Sequence, residues 1–450
     1  MKDRFRAFLR DTFFTDGFGS RYSSKLVQQL VIETENIFLP TLVDQYYQQQ
    51  GSNLFKFLAA RGLAAVVEHS PRLHEIHTAL VNEITKGIAF ANKSGAPENT
   101  LSLIGDMHVH KSMRYQTGNE ILFKEIPYYT KFLDKLLPLF PYLASMLPKH
   151  TTNNGFFHRE FISEKMDSVK PDDISLYYLN LGRVFGIVLV FRGIDVYVEN
   201  LVAHMPYPVL FDLECLFSGE FTQNSDFPHY SLESTGLIVV DPVYDVSAFS
   251  GGTKPVKSYL KPFLVGTEEK PSIAWSTPNS PAYSNIPILQ GEKVNPQKYK
   301  DMVVQGLKET YQRILCNKEV IEKIVQETEI GTRTIITPTR VYRVALQSYA
   351  FPIVNDSISP EVHFQTELAT RIPFYDITPT KELLPTEVHS LQSWLIPKFY
   401  SEIHSPEIFS EDSTVVARYN VSQYQSWQKH FENIERVFTD AHYQFLAAYK

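Results

Sequence analysis

The sequence predicts an α+β protein, and three observations carry that prediction. Residues 1–100 show helical periodicity, the stretch from Leu101 to Tyr129 turns to short strands, and Asp173 to Arg192 reads as a strongly apolar helix opening a larger region. A chain of 450 residues can bury a large core and still carry a cleft between lobes. The division expected is a helical layer over 1–100, a small lobe over 101–170 and a large lobe over 171–450.

In the helical layer, Leu26, Leu30 and Ile37, and then Leu54, Phe57, Leu58, Leu63 and Val66, recur at helical spacing. In the small lobe, Leu101 to Gly105 and Glu120 to Lys124 read as strands around a polar turn at Thr117-Gly118-Asn119. Pro171 with Asp172 and Asp173 is a start signal for the apolar helix, since proline suits the first helical position and carboxylates suit the positive end of the helix dipole. Residues 217–300 are rich in Pro, Ser, Gly and Asn, with only short strand-like runs such as Leu237 to Val240, and read as a long loop of the lid or activation-segment kind. Met302 to Leu315 returns to helix through Val303, Leu307, Tyr311 and Ile314. A last helix near Val421 to Tyr449 puts Trp427, Phe431, Ile434, Phe438 and Phe445 on one stripe, which suits packing on the body.

Composition narrows the function classes. With 43% hydrophobic and 21% charged residues and a net charge of -7, nothing general favours nucleic acid or an anionic membrane as partner. Cys215 and Cys316 are too few for a disulfide framework or a four-thiolate zinc site, and they fit a reducing cytoplasm. Met1 to Asp16 alternates charge with Phe and Leu and does not read as a signal peptide. The longest apolar run, Val184 to Phe191, is too short to span a bilayer.

The chemistry concentrates between Gly193 and Glu214. A reversal at Met205-Pro206-Tyr207 would pair residues whose numbers sum to about 412, which sets Asn200 opposite Asp212. An amide oxygen and a carboxylate are hard ligands suited to Mg²⁺ with nucleotide phosphates. With Asp195 five residues earlier, the trio follows the order of a kinase's catalytic Asp, metal-binding Asn and metal-binding Asp. Lys124, closing a strand of the small lobe, is the candidate phosphate-binding lysine. Each residue also has a plain reading: a solvated strand lysine, a turn asparagine, and an Asp212-x-Glu214 pair lining the wet face of a strand.

The run Asp195 to Phe217 resembles the kinase-like core of the dehydratase domain of class II lanthipeptide synthetases, the LanM type. The likeness continues in order along the chain. Asp106 and His108 fall on that family's Gly-Asp-x-His element, Leu122 to Lys124 on its lysine strand, and Asp245 to Gly252 on its Asp-Leu-Ser-Ala-Leu element. Further on, Asn285-Ile-Pro287 with Gly306 to Tyr311, Arg333 to Tyr342, and Glu387 to Phe399 match later motifs.

The resemblance implies a two-lobed core similar to phosphoinositide (lipid) kinases with added helices, and a peptide dehydratase. Such an enzyme phosphorylates Ser and Thr of a ribosomal precursor peptide with ATP and Mg²⁺ and then eliminates phosphate to leave dehydroalanine or dehydrobutyrine. It assigns Lys124, Asp195, Asn200, Asp212 and Glu214 to phosphorylation, Arg333 and Thr339 to elimination, and Asp106 and His108 to the shared site.

The departures are Tyr197 where the family has His, Glu125 and Ile126 after Lys124 where it has Pro-Arg, Thr337 where it has Arg, and Trp394-Leu395 where it has Gly-Asp. The expected partner is a leader-bearing precursor peptide. No Cys-His-Cys pattern appears, so zinc is not expected, and a stand-alone dehydratase would leave ring closure to a separate LanC-like cyclase. Two other classes remain: a peptide or protein kinase without elimination, and a catalytically silent, peptide-binding pseudokinase.

Overall fold

The computed structural model describes residues 1–13, 24–67, 74, 78, 101–102, 120–123, 129–153, 156–160, 162, 165–168, 170–210, 213–219, 230–238, 247–250, 261–276, 285–350, 358–371, 380–393 and 395–449. Within them the chain is a mixture of helices and small sheets.

The organising element is the helix Pro171–Val190, which starts where the proline and its two aspartates place it. Among the described residues it is the one helix long and apolar enough to cross a membrane by length and composition, yet most of it is buried inside the protein. It packs along the helix Lys300–Cys316 with their backbones nearly in contact. A Cβ on Gly182 would fall 2.0 Å from the Val303 carbonyl oxygen, and one on Gly306 would fall 2.0 Å from that of Leu179. No other residue type fits this crossing.

Around the pair gathers the largest core, which takes in Phe132, Phe191, Phe217 and the whole predicted C-terminal stripe of Trp427, Phe431, Ile434, Phe438 and Phe445. That stripe belongs to two helices, Gln423–Glu432 and Ile434–Ala448, parted at Asn433, where the periodicity predicts one continuous helix.

A second core joins the helices Lys2–Phe13, Ser24–Gln48 and Leu54–Val67 to three later helices, Thr339–Ala350, Pro360–Arg371 and Thr380–Gln392. It also includes a hairpin of the strands Lys261–Gly266 and Pro271–Ser276, inside the stretch that composition marks as loop. The hairpin docks on the N-terminal helices: the Tyr46 and Tyr47 hydroxyls donate to the carbonyls of Glu269 (3.0 Å) and Pro271 (2.6 Å).

Strands Leu101–Ser102 and Glu120–Phe123 both form, but they pair in parallel, so a tight turn at Thr117 to Asn119 does not join them. Glu120–Phe123 pairs antiparallel with Phe156–Glu160, which pairs in turn with His150–Asn153. A separate four-stranded antiparallel sheet orders Gly331–Thr334, Phe399–Glu402, Glu407–Ser410 and Val415–Arg418.

Candidate functional site

The site grows from the C-terminal end of the central helix, whose last carbonyls are met by side chains from far along the chain. The Tyr230 hydroxyl lies 3.0 Å from the carbonyls of both Val188 and Gly193. The Trp427 indole N–H donates to Val190 (3.0 Å) and His430 Nε2 to Leu189 (2.9 Å). Arg192, almost fully buried, donates from Nε to the Ser218 carbonyl and lies over the Tyr230 ring. Burial and the neighbouring Arg192 charge hold the His430 imidazole down to about 4, so it stays neutral and donates.

This frame carries the chain into Asp195, whose φ of 64° lies in the left-handed region that non-glycine residues seldom adopt. Asn200 closes a short 3-10 turn, Val198–Asn200, and is 1% exposed. Its Nδ2 donates to the Asp195 backbone carbonyl at 2.6 Å and lies 3.4 Å from the Asp195 carboxylate. Its Oδ1 is buried with no hydrogen-bond partner among the described residues. A buried amide oxygen left unbonded is costly unless a further group completes it.

The hairpin that follows reverses at Met205-Pro206, a cis peptide. Its strands Leu201–His204 and Tyr207–Leu210 pair Leu201 with Leu210 and His204 with Tyr207, so facing numbers sum to 411. The turn holds two residues where the sequence predicts three, which shifts the expected pairing of Asn200 by one position. Asp212, Lys124, Asp106 and His108 lie outside the described residues.

Glu214 and Arg333, 119 positions apart, meet. The Arg333 guanidinium and the Glu214 carboxylate are 2.5 Å apart, and the Arg333 backbone N–H donates to the Glu214 carbonyl at 2.7 Å. The segment carrying Glu214 is also laddered to the Asp195 loop: Ile194 donates to Cys215, Phe217 to Phe191 and Ser218 to Arg192. One length of backbone thus ties Asp195 and Asn200 on one side to Arg333 on the other.

Thr339 opens the helix Thr339–Ala350 and is partly exposed. Thr337 points inward, and its hydroxyl and that of Tyr342 both donate to Oε1 of the fully buried Glu387, at 2.7 and 2.5 Å. Tyr197 is half-buried, bridges to Ser247 and leans on Gly236, where an added Cβ would fall 2.9 Å from the Tyr197 ring.

Sequence reasoning does not find Tyr230, Trp427 or His430 as supports of the Asp195 loop, because their partners are backbone carbonyls distant in sequence. Asn285 stands out only for its motif, while its side chain reaches the backbone around Asn200.

Among the described residues no three His, Cys, Asp or Glu side chains gather as a metal site. The donor chemistry that does fit a hard cation is the orphaned Asn200 oxygen, on an amide whose Nδ2 is turned to Asp195.

Comparison with known proteins finds a curated relative, the lacticin 481/lactococcin biosynthesis protein LcnDR2 of Lactococcus lactis subsp. lactis, which is 20% identical over 282 residues. The match takes in 57% of this chain and 29% of that protein, so the chain spans under a third of its relative's length. A family model matches residues 115–402, a range that includes Asp195, Asn200, Glu214, Arg333 and Thr339. The chain belongs to that family, described as a domain of unknown function, DUF4135.

Proposed function

We propose that this chain acts in lanthipeptide maturation as a peptide dehydratase on a two-lobed, lipid-kinase-like core. On this reading it transfers the γ-phosphoryl group of ATP to Ser and Thr of a precursor peptide and then eliminates phosphate. The observation that carries the reading is Asn200: a buried asparagine that spends its amide N–H on Asp195 and whose oxygen has no hydrogen-bond partner among the described residues. The relation to a lacticin 481 biosynthesis protein supports the peptide as substrate.

In the first step the Asp195 carboxylate accepts the proton of the attacking hydroxyl, whose oxygen forms a bond to the γ-phosphorus as the bond to ADP breaks. Asn200, with Asp212, would hold Mg²⁺, which neutralises phosphate charge when bound. Lys124 would add a point charge on the phosphates. In the second step the α-proton leaves to a base, its electron pair forms the Cα–Cβ double bond, and the Cβ–O bond breaks. Phosphate is the better leaving group than hydroxide, and Arg333 is the group suited to hold it in two-pronged fashion. Glu214 pairs with Arg333 through one guanidinium nitrogen and so aims the group. Thr339 completes this half, and the Asp106/His108 element belongs to the shared site. ATP as co-substrate, and two thiols, Cys215 and Cys316, that form no disulfide, suit a cytoplasmic enzyme.

The test incubates the chain with ATP, Mg²⁺ and a leader-bearing precursor peptide and reads the peptide by mass spectrometry. Loss of water from Ser or Thr is the expected result. Phosphopeptide as the final product would make the chain a kinase, and failure to bind ATP in a Mg²⁺-dependent way would make it a silent binding module.

A further inference from the structure

We infer that Asn285 is a positioning residue that aims the Asn200 oxygen, an inference resting on the proposed reading of Asn200 as a cation ligand. Asn285 is 4% exposed, and its side chain is committed wholly to the backbone around Asn200. Its Nδ2 donates to the carbonyls of Val198 and Leu201, both at 2.5 Å, and its Oδ1 accepts from the Ala203 N–H at 3.3 Å. Those two carbonyls flank Asn200 on either side. A planar amide whose two N–H groups grip both of them fixes the peptide units between which the Asn200 side chain emerges.

Asn285 is itself anchored. Its carbonyl accepts from the buried Tyr177 hydroxyl at 3.2 Å, and Ile288, three residues on, donates to Met166 at 2.9 Å. Lys165 in turn exchanges hydrogen bonds with the hairpin, donating to Ala203 and accepting from Met205. The central helix, the 165–168 segment and the hairpin are thus all tied to the short stretch that carries Asn285 or to its partners. Only an amide serves: the isosteric aspartate would replace the NH₂ group and both its donors by one oxygen facing the two carbonyl oxygens, while leaving the volume nearly unchanged.

The experiment measures Mn²⁺ binding by electron paramagnetic resonance in the presence of a non-hydrolysable ATP analogue. Four proteins are compared: wild type, Asn285→Asp, Asn200→Ala and the double variant, each with a circular dichroism melt to establish folding. Removing a support of a metal ligand typically weakens metal binding about 10- to 100-fold, and Asn285→Asp is expected in that range. In the Asn200→Ala background the same change should weaken Mn²⁺ no further, because there is no oxygen left to aim.

Unchanged Mn²⁺ affinity in folded Asn285→Asp would overturn the inference, as would an equal loss with and without Asn200, which marks a general structural role. Should Asn285→Asp not fold, Asn285→Ser, which keeps one donor, takes its place in the same cycle. A wild type that binds no Mn²⁺ with the nucleotide overturns the proposed function itself, whereas a wild type that binds beside an unaffected Asn285 variant overturns this inference alone.

Discussion

His430 makes the support of the Asp195 loop titratable. In the folded protein its imidazole is held to about 4 by burial and by Arg192, against an ordinary value of 6.5. The folded value lies below the unfolded one, so protons bind the unfolded chain more readily. The stabilisation is complete above pH 6.5 and is lost as pH falls through about 4. At about 1.4 kcal/mol for each pH unit separating the two values, the loss amounts to roughly 2 kcal/mol at pH 5 and about 3 kcal/mol once His430 is fully protonated.

Other groups also titrate, so the comparison is with His430→Gln, which keeps an N–H donor for the Leu189 carbonyl and cannot take up a proton. Urea unfolding of both proteins, followed by tryptophan fluorescence from pH 8 to pH 5, should show the wild type losing about 2 kcal/mol more than the variant. Parallel pH profiles, or an NMR titration of His430 centred near its ordinary value, would refute the reasoning.

Four further outcomes are expected. Asp195→Asn should still bind Mg²⁺-nucleotide but slow phosphoryl transfer roughly 10²- to 10⁴-fold in single-turnover assays, since it removes only the proton acceptor. Arg333→Gln should accumulate phosphopeptide, visible as a mass gain without water loss, while Asp195→Asn delays the phosphopeptide and the dehydrated product alike. Gly306→Ala forces a Cβ into the Leu179 carbonyl and should cost about 1–3 kcal/mol or more, read as a lower urea midpoint. Thr337→Val withdraws one donor from the buried Glu387 and should cost about 1–3 kcal/mol, with Thr337→Ser largely restoring stability in the same assay.

Local signals make parts of the fold legible. The start of the central helix follows from one proline and two carboxylates, and its burial from an apolar surface on all sides. The hairpin beyond Asn200 follows from its turn residues, but not its register. Whether two or three residues close the turn is decided by backbone geometry, which composition does not report. The hairpin Lys261–Gly266 with Pro271–Ser276 is hidden in the sequence because two prolines lie in its strands and its stability comes from docking on Tyr46 and Tyr47, over 200 positions away. The break at Asn433 leaves the apolar stripe intact on both helices, so periodicity does not reveal it.

For the site, the five-residue step from Asp195 to Asn200 is readable as chemistry. The contact of Glu214 with Arg333 is not, because motif order assigns roles along a line and says nothing of what folds together.

That contact bears on how the chain would handle its peptide. The 213–218 segment is hydrogen-bonded to the Asp195 loop on one edge and to Arg333 on the other, so the two groups ride on a single stiff spine. A side chain phosphorylated at Asp195 would already lie in the same frame as the guanidinium. Under the proposed function, that shared frame predicts processive turnover, since the backbone between the two groups need not rearrange for the intermediate to pass from one to the other.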